Sequence, residues 1–296
     1  MEINETAVLN DRGFVQISGD DAKDFLQNIV TNDIEKVSDN LTIFSSILTP
    51  QGKYLYEFFV LKMKDGYLLE CEKDSTLEII KIFTFYKLRS KIKITDASEQ
   101  YTNIVISLEK FKEVTESQNI GNNTISYKNV LIYTDARNKN LGARILSKTK
   151  NPEQIINDFN LKLVNKEKYY EKSFNLGIPQ INLSKLKDKI FGIENNLDEL
   201  GAIDFKKGCY VGQENTSRIK LRNKLRRRIL PIKKISGEFF ENDTIEFKKS
   251  DIGKIIIDKP FAFGLIKIVE PNLKEFVNTE LICGKSKVKI FKPDWM

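Results

Sequence analysis

The side chains best suited to chemistry are concentrated in one run, Lys207-Gly208-Cys209-Tyr210-Val211-Gly212-Gln213-Glu214, with Arg218 a turn further on. Lys206 and Lys207 precede one of only three cysteines in the chain. A cation beside a thiol favours the thiolate, which is the nucleophile and the metal ligand. A helix beginning at Gln213, just after the thiol, would add the positive end of its dipole. On this reading Cys209 is a working thiol and Lys207 its electrostatic support, the pair that would carry any catalysis. The alternative is a small buried hydrophobe, since free cysteine is among the most buried residue types. Local chemistry leaves both open. Gly208 and Gly212 would let the backbone turn tightly or approach a ligand.

Absent residues narrow the chemistry further. The chain of 296 residues has no histidine. This excludes a Ser-His-Asp or Cys-His relay and the usual His-ligated zinc and iron sites. Cys71, Cys209 and Cys283 are far apart with no C-x-x-C pair, which argues against a disulfide framework or a structural zinc site and for a reducing compartment. No metal site is expected. The net charge is +7, favouring anionic partners. The densest basic run, Ile219 to Leu230, reads as a solvated basic strand and turn, packed on one side through Leu221, Leu225, Ile229 and Leu230. It lacks the interleaved aromatics of a single-strand-binding platform. Nothing approaches the length of an apolar membrane span. The N-terminus, "MEINETAVLNDRG", has neither secretory nor transit-peptide character, so a cytoplasmic protein is expected.

The elements that must position these residues alternate between strands and helices, with hairpins among them, which implies an α+β fold. "FVQIS" reads as a strand, and the helix after it has Asp20 and Asp21 at its positive end. "TIFSSILTPQGKYLYEFFVLKMKDGYLLECE" reads as three strands with turns at Pro50-Gln51-Gly52 and Asp65-Gly66. Ser75 is placed to cap a helix over "TLEIIKIFTFYKLR", before an alternating strand "KIKITD"; Asn151 is placed to cap another. From about Leu225 short strands separated by Gly, Pro, Asp and Asn imply a small β-barrel. The division expected is 1–225 as a core of two interleaved subdomains and 226–296 as the barrel.

The run from Lys207 to Glu214 resembles the K-G-C-[FY]-x-G-Q-E motif of the YgfZ family of folate-binding proteins, matching at all eight positions. "ISGDDAKDFLQNIVTNDI", "LTPQGKYLYEFFV", "YKLRSKIKITD" and "NLDELGAIDFKKGCY" are similar to that family's other blocks, in its order. The resemblance implies a fold like that of the T-protein of the glycine cleavage system: a folate-binding core of interleaved subdomains plus a C-terminal barrel. It implies tetrahydrofolate or a one-carbon derivative as cofactor. It also implies a part in assembling or repairing iron–sulfur clusters, rather than stand-alone metabolic catalysis. Implied partners are iron–sulfur assembly proteins, client apo-enzymes or glutathione. The sequence departs from the family at Glu194, in "FGIENN" where Pro-Gln-Glu is usual, and at Glu57, where many members carry Asp.

A pterin joined to a polyglutamate tail needs a carboxylate for its N–H donors, apolar or aromatic walls, and cations for the tail. Glu194 and Glu57 are the candidate carboxylates, although Glu57 also fits a solvated strand position. Tyr54 and Tyr56 are candidate walls, and Tyr210, Gln213, Glu214 and Arg218 come with the motif. Two other functions compete. A T-protein-type aminomethyl or methyl transferase would share fold and cofactor but lack the cysteine motif. A nucleic-acid-binding module using "LRNKLRRR" ranks last.

Overall fold

A computed structural model of the chain describes residues 1–115, 123–148 and 152–296. The chain divides into two compact units. The first comprises residues 1–47, 56–169 and 200–211; the second comprises 48–55, 170–199 and 212–296.

The first unit is built on two sheets. Strands β1 (Glu5–Val8) and β2 (Arg12–Ser18) are followed by a short helix, α1 (Ala22–Gln27). Next come β3 (Ile43–Leu48), β4 (Tyr54–Met63), β5 (Gly66–Glu72), α2 (Thr76–Lys87) and β6 (Lys93–Asp96). Then follow β7 (Thr102–Ile106), α3 (Leu108–Thr115), β8 (Thr124–Tyr127), β9 (Val130–Thr134), β10 (Ala143–Ser147), α4 (Pro152–Asp158) and β11 (Lys162–Leu163). One sheet has the order β3-β4-β5-β2-β6 and the other β11-β1-β7-β10-β9-β8. The expected strands, turns and α2 are present. One expected cap differs. Ser75 precedes α2 without a side-chain hydrogen bond to it. Asp21 stands at the start of α1, as expected, and its carboxylate accepts from the backbone N–H of Lys91 at 2.6 Å. The Asn151 cap lies outside the described residues.

The seam of this unit is ionic. Arg12 of β2 and Arg144 of β10 both donate to Glu70 of β5, each at 2.8 Å. Arg144 also reaches Asp135 at 3.1 Å and the Tyr169 hydroxyl at 2.8 Å, while the Tyr133 hydroxyl donates to Glu70. Arg137 grips Asp135 through two N–H groups, at 2.7 and 3.0 Å. The ring of Phe59 lies under both guanidiniums, 4.4 Å from Arg144 and 4.9 Å from Arg137. All these charged groups are buried. Pairing is what makes such burial tolerable, because an isolated charge in the interior costs several kcal/mol. The arginines hold Glu70 and Asp135 below their ordinary pKa values against the opposing effect of burial.

The second unit carries α5 (Lys166–Asn175) from Tyr170 onward, and α6 (Gln213–Leu221). Its barrel strands are β12 (Arg227–Ser236), β13 (Thr244–Phe247), β14 (Ser250–Ile257) and β15 (Ala262–Lys267). A short helix α7 (Leu273–Phe276) precedes β16 (Leu281–Cys283) and β17 (Ser286–Ile290). The strands close in the order β12-β15-β14-β13-β16-β17. Closure removes the unpaired edges that would otherwise template aggregation. Register breaks in β12, β13 and β14 supply curvature. Leu230, Ile232, Ile245, Ile255, Phe276, Val288 and Ile290 fill the interior. The basic run is helix in its first part and strand only from Arg227, and Leu221 is 85% exposed rather than packed.

Candidate functional site

The cysteine run spans the division between the units, with Lys207 to Val211 in the first and Gly212 onward in the second. In the first unit, the segment entering the run is laid along residues 27–36. Thr31 donates its hydroxyl to Ala202 O at 2.6 Å, and Asn32 donates its side-chain amide to Gly201 O at 2.9 Å. Asp204 pairs with Lys36 at 2.5 Å and accepts from the backbone N–H of Lys206 at 2.6 Å. The Thr31-Asn32-Asp33 block and the stretch before the cysteine are thus two halves of one docking surface.

Lys207 completes it. Its Nζ donates to three carbonyls: Gln27 at 2.7 Å, Val30 at 2.8 Å and Asn32 at 2.9 Å. These belong to the end of α1 and the turn beyond it, where carbonyls lack helical partners. A point-like ammonium with three donors suits three converging carbonyls. The same Nζ lies 5.2 Å from the centre of the Tyr210 ring. Burial pushes the Lys207 ammonium down to about 8, against the raising charges of Asp33 and Asp204. The sequence assigned Lys207 to the thiol; its hydrogen bonds go instead to the backbone that carries the loop.

Cys209 is exposed, whereas Cys71 and Cys283 are buried. Burial pushes the Cys71 thiol up to about 12 and the Cys283 thiol up to about 11. Gly208 sits in open space, so glycine is not sterically required there. Gly212 is different. Its φ is +85° and an added Cβ would lie 2.5 Å from Thr49 O, a position only glycine fills without strain. Tyr210 is buried and its hydroxyl has no hydrogen-bond partner among the described residues; burial raises its pKa.

In the second unit, Glu194 faces a cavity of about 590 Å3. Phe191, Ile219, Leu225 and Val269 give it apolar walls, Lys224, Arg226, Arg227 and Lys267 give it cations, and Glu270 is a second acid of the lining. The Glu194 carboxylate is fixed at both oxygens: Oε2 accepts from Phe191 N at 2.9 Å and Oε1 from Arg227 Nε at 2.9 Å. A carboxylate has about four acceptor positions, so each oxygen retains capacity for a further N–H donor. Volume, walls and charge all fit a planar heterocycle with an anionic tail.

The other sequence-chosen residues lie elsewhere. Glu57 is not solvated: it is buried in the first unit, with Arg137 3.7 Å away. A strand position alone allowed solvation, but Phe59, two residues on along the same face of β4, packs against Tyr133 and Arg144 of the second sheet. Tyr54 and Tyr56 are buried and do not line the cavity. Glu214 and Arg218 pair with each other at 2.6 Å on the exposed side of α6, and Gln213 is half-buried at its start. Sequence reasoning missed Arg227 and Lys267, which were read as barrel residues. It also missed the Arg12, Glu70, Asp135, Arg137 and Arg144 network. Its signal was present: charged residues inside strongly apolar runs, Glu70 in "YLLECE" and Arg144 in "ARILS". Among the described residues no cluster of three or more Cys, Asp or Glu could hold a metal ion.

No family model matches the chain. It is similar to the iron–sulfur cluster assembly factor IBA57 homolog, mitochondrial, of Neurospora crassa, with 28% identity over 93% of this chain and 61% of that protein. It is also similar to the protein of the same name from Mycosarcoma maydis, with 30% identity over 75% of this chain and 55% of that protein. The chain therefore spans about three fifths of the length of these curated relatives. Both are mitochondrial by name, which overturns the expectation of a cytoplasmic protein; the character of the first residues was too thin a basis for it. In fold, the chain resembles the glycine cleavage system aminomethyltransferase T from Bartonella henselae. The TM-score is 0.74 over 99% of this chain and 86% of that one, at 10% identity. The fold is thus the expected mixed α and β architecture of the T-protein, with its closed six-stranded C-terminal barrel.

Proposed function

We propose that this chain is a folate-dependent accessory factor in iron–sulfur cluster assembly or repair, akin to its mitochondrial relatives. In this reading the Glu194 cavity holds tetrahydrofolate or a one-carbon derivative, and Cys209 faces the cluster-handling partner. The observation that carries it is the contrast among the thiols: the two outside the cysteine run are buried and only Cys209 is presented to solvent.

Each residue would act through its own chemistry. Glu194, held by Phe191 N and Arg227, would accept N–H donors of the pterin. Lys224, Arg226 and Lys267 would meet an anionic tail. The bound folate would supply one-carbon or redox-active pterin chemistry. Lys207 holds the loop that presents Cys209. One thiolate cannot hold a cluster alone, since clusters take about four ligands. The cluster is therefore cargo, and the remaining ligands come from an assembly protein, a client apo-enzyme or glutathione.

The tests separate the two sites. Calorimetry should show tetrahydrofolate binding in roughly the micromolar range, with Glu194→Ala losing more affinity than Glu57→Ala; no heat and no thermal stabilisation refute the folate assignment. In a host deleted for the gene, Cys209→Ser should leave folate binding intact and fail to restore enzymes with four-iron clusters. Full complementation by Cys209→Ser refutes the thiol's role. The fold likeness also favours a second reading, a folate-dependent aminomethyl or methyl transferase; one-carbon transfer by the Cys209→Ser variant at the wild-type rate would support it.

A further inference from the structure

The second unit has another concave feature, a groove of about 410 Å3 on the barrel. Phe239, Phe240 and Phe261 line it together with Lys233, Lys234 and Lys259. The ring of Phe240 is 61% exposed, an expensive display for a large aromatic. The turn that carries it is nonetheless fixed. Phe240 N donates to Asp243 Oδ2 at 2.8 Å, and Asp243 N donates back to Phe240 O at 3.1 Å. The neighbouring Glu241 pairs with Lys189 at 2.5 Å and Lys185 at 3.5 Å. Lys185 also neutralises Asp258, an acid of the groove, at 2.5 Å. Among the described residues no ion pair engages Lys233 or Lys234, while Lys259 lies close enough to Asp258 to help hold its carboxyl below the ordinary value. Glu238 is the one acid of the lining left without a cation. The groove is therefore lined by phenylalanine rings and by more cations than acids.

We propose that this groove docks an acidic segment of a partner protein, which inserts one large apolar side chain among the phenylalanines. A pre-fixed aromatic loses little conformational freedom on binding, and such rings dominate interface energies. Lys233 and Lys234 supply attraction and orientation for carboxylates. Concavity decides against a lipid surface, which would favour a protruding apolar wedge over a recessed one.

The test uses the full chain and two labelled peptides. One is glutamate-rich with a single central phenylalanine; the other has alanine in its place. Fluorescence anisotropy should show the phenylalanine peptide binding roughly tenfold more tightly, with affinity falling as salt rises. Phe240→Ala and the double variant Lys233→Glu/Lys234→Glu should each weaken it by about tenfold. Thermal midpoints establish that the variants fold, and Lys259→Glu, outside the strands, gives the same readout if the double variant does not. Absence of binding, equal binding of the two peptides, or variants that bind like wild type overturn the proposal. So does binding to phosphatidylserine vesicles that is lost in the same variants and displaces the peptide. None of these readouts depends on Glu194 or Cys209.

Discussion

Replacing Lys207 by methionine removes the ammonium while keeping most of the stem, and the structure sets what is lost. Three N–H···O bonds, at 2.7, 2.8 and 2.9 Å, disappear together. Hydrogen bonds to charged groups contribute about 1.5–3 kcal/mol each in favourable burial. Lys207 is only half-buried, and water can re-enter to the freed carbonyls, so about 1 kcal/mol per bond and about 3 kcal/mol in all is appropriate. At roughly 2–4 °C per kcal/mol for units of this size, the thermal midpoint should fall by roughly 6–12 °C. Scanning calorimetry measures this, and Cys209 alkylation well below the transition is measured in parallel. Lys207→Arg should recover little, because a planar guanidinium cannot converge on three carbonyls around a point. A stability loss within ~0.5 kcal/mol, the range of ordinary surface changes, refutes the clasp. If alkylation of Cys209 slows while stability holds, the ammonium acts on the thiol, as the sequence first suggested.

Other perturbations probe the framework. Glu70 and Asp135 have folded-state pKa values below their unfolded ones, so their stabilisation is present above about pH 4 and is lost as pH falls through the folded values. Acid unfolding of wild type below about pH 4 should therefore shift to higher pH in Arg144→Met, which should also cost about 3–5 kcal/mol at neutral pH by stranding buried carboxylates; an unchanged acid midpoint would contradict the ionic seam. Gly212→Ala should destabilise by about 1–3 kcal/mol from left-handed strain and the approach to Thr49 O, seen in denaturant titration. At neutral pH iodoacetamide should modify Cys209 before Cys71 or Cys283, as mass spectrometry of timed digests would show; earlier modification of either buried thiol would reverse the assignment.

The sequence was sufficient for whatever depends on local pattern. Strand alternation, turn residues at Pro50-Gln51-Gly52 and Asp65-Gly66, and the spacing of short strands after Leu225 gave the sheet hairpins and the barrel, because backbone preferences and side-chain period act over a few residues. The start of α6 at Gln213 was readable for the same reason, whereas the sequence treated Gly208 and Gly212 alike and only the fold shows that position 212 requires glycine. The absence of histidine and the scattered cysteines excluded whole classes of chemistry without any fold.

Tertiary structure decided the partners. Lys207 looks equally suited to a neighbouring thiol or to distant carbonyls, and only the docking of Gly201–Lys207 along residues 27–36 brings Gln27, Val30 and Asn32 to its ammonium. Glu57 fits a solvated strand position in the sequence, yet it is buried with Arg137 beside it. Arg227 reads as a barrel residue and becomes the clamp on Glu194 across more than thirty positions of chain. Period and propensity specify which face a residue takes, but not what the chain later brings against that face. The charges that matter in this protein are those whose counter-charges arrive from remote segments.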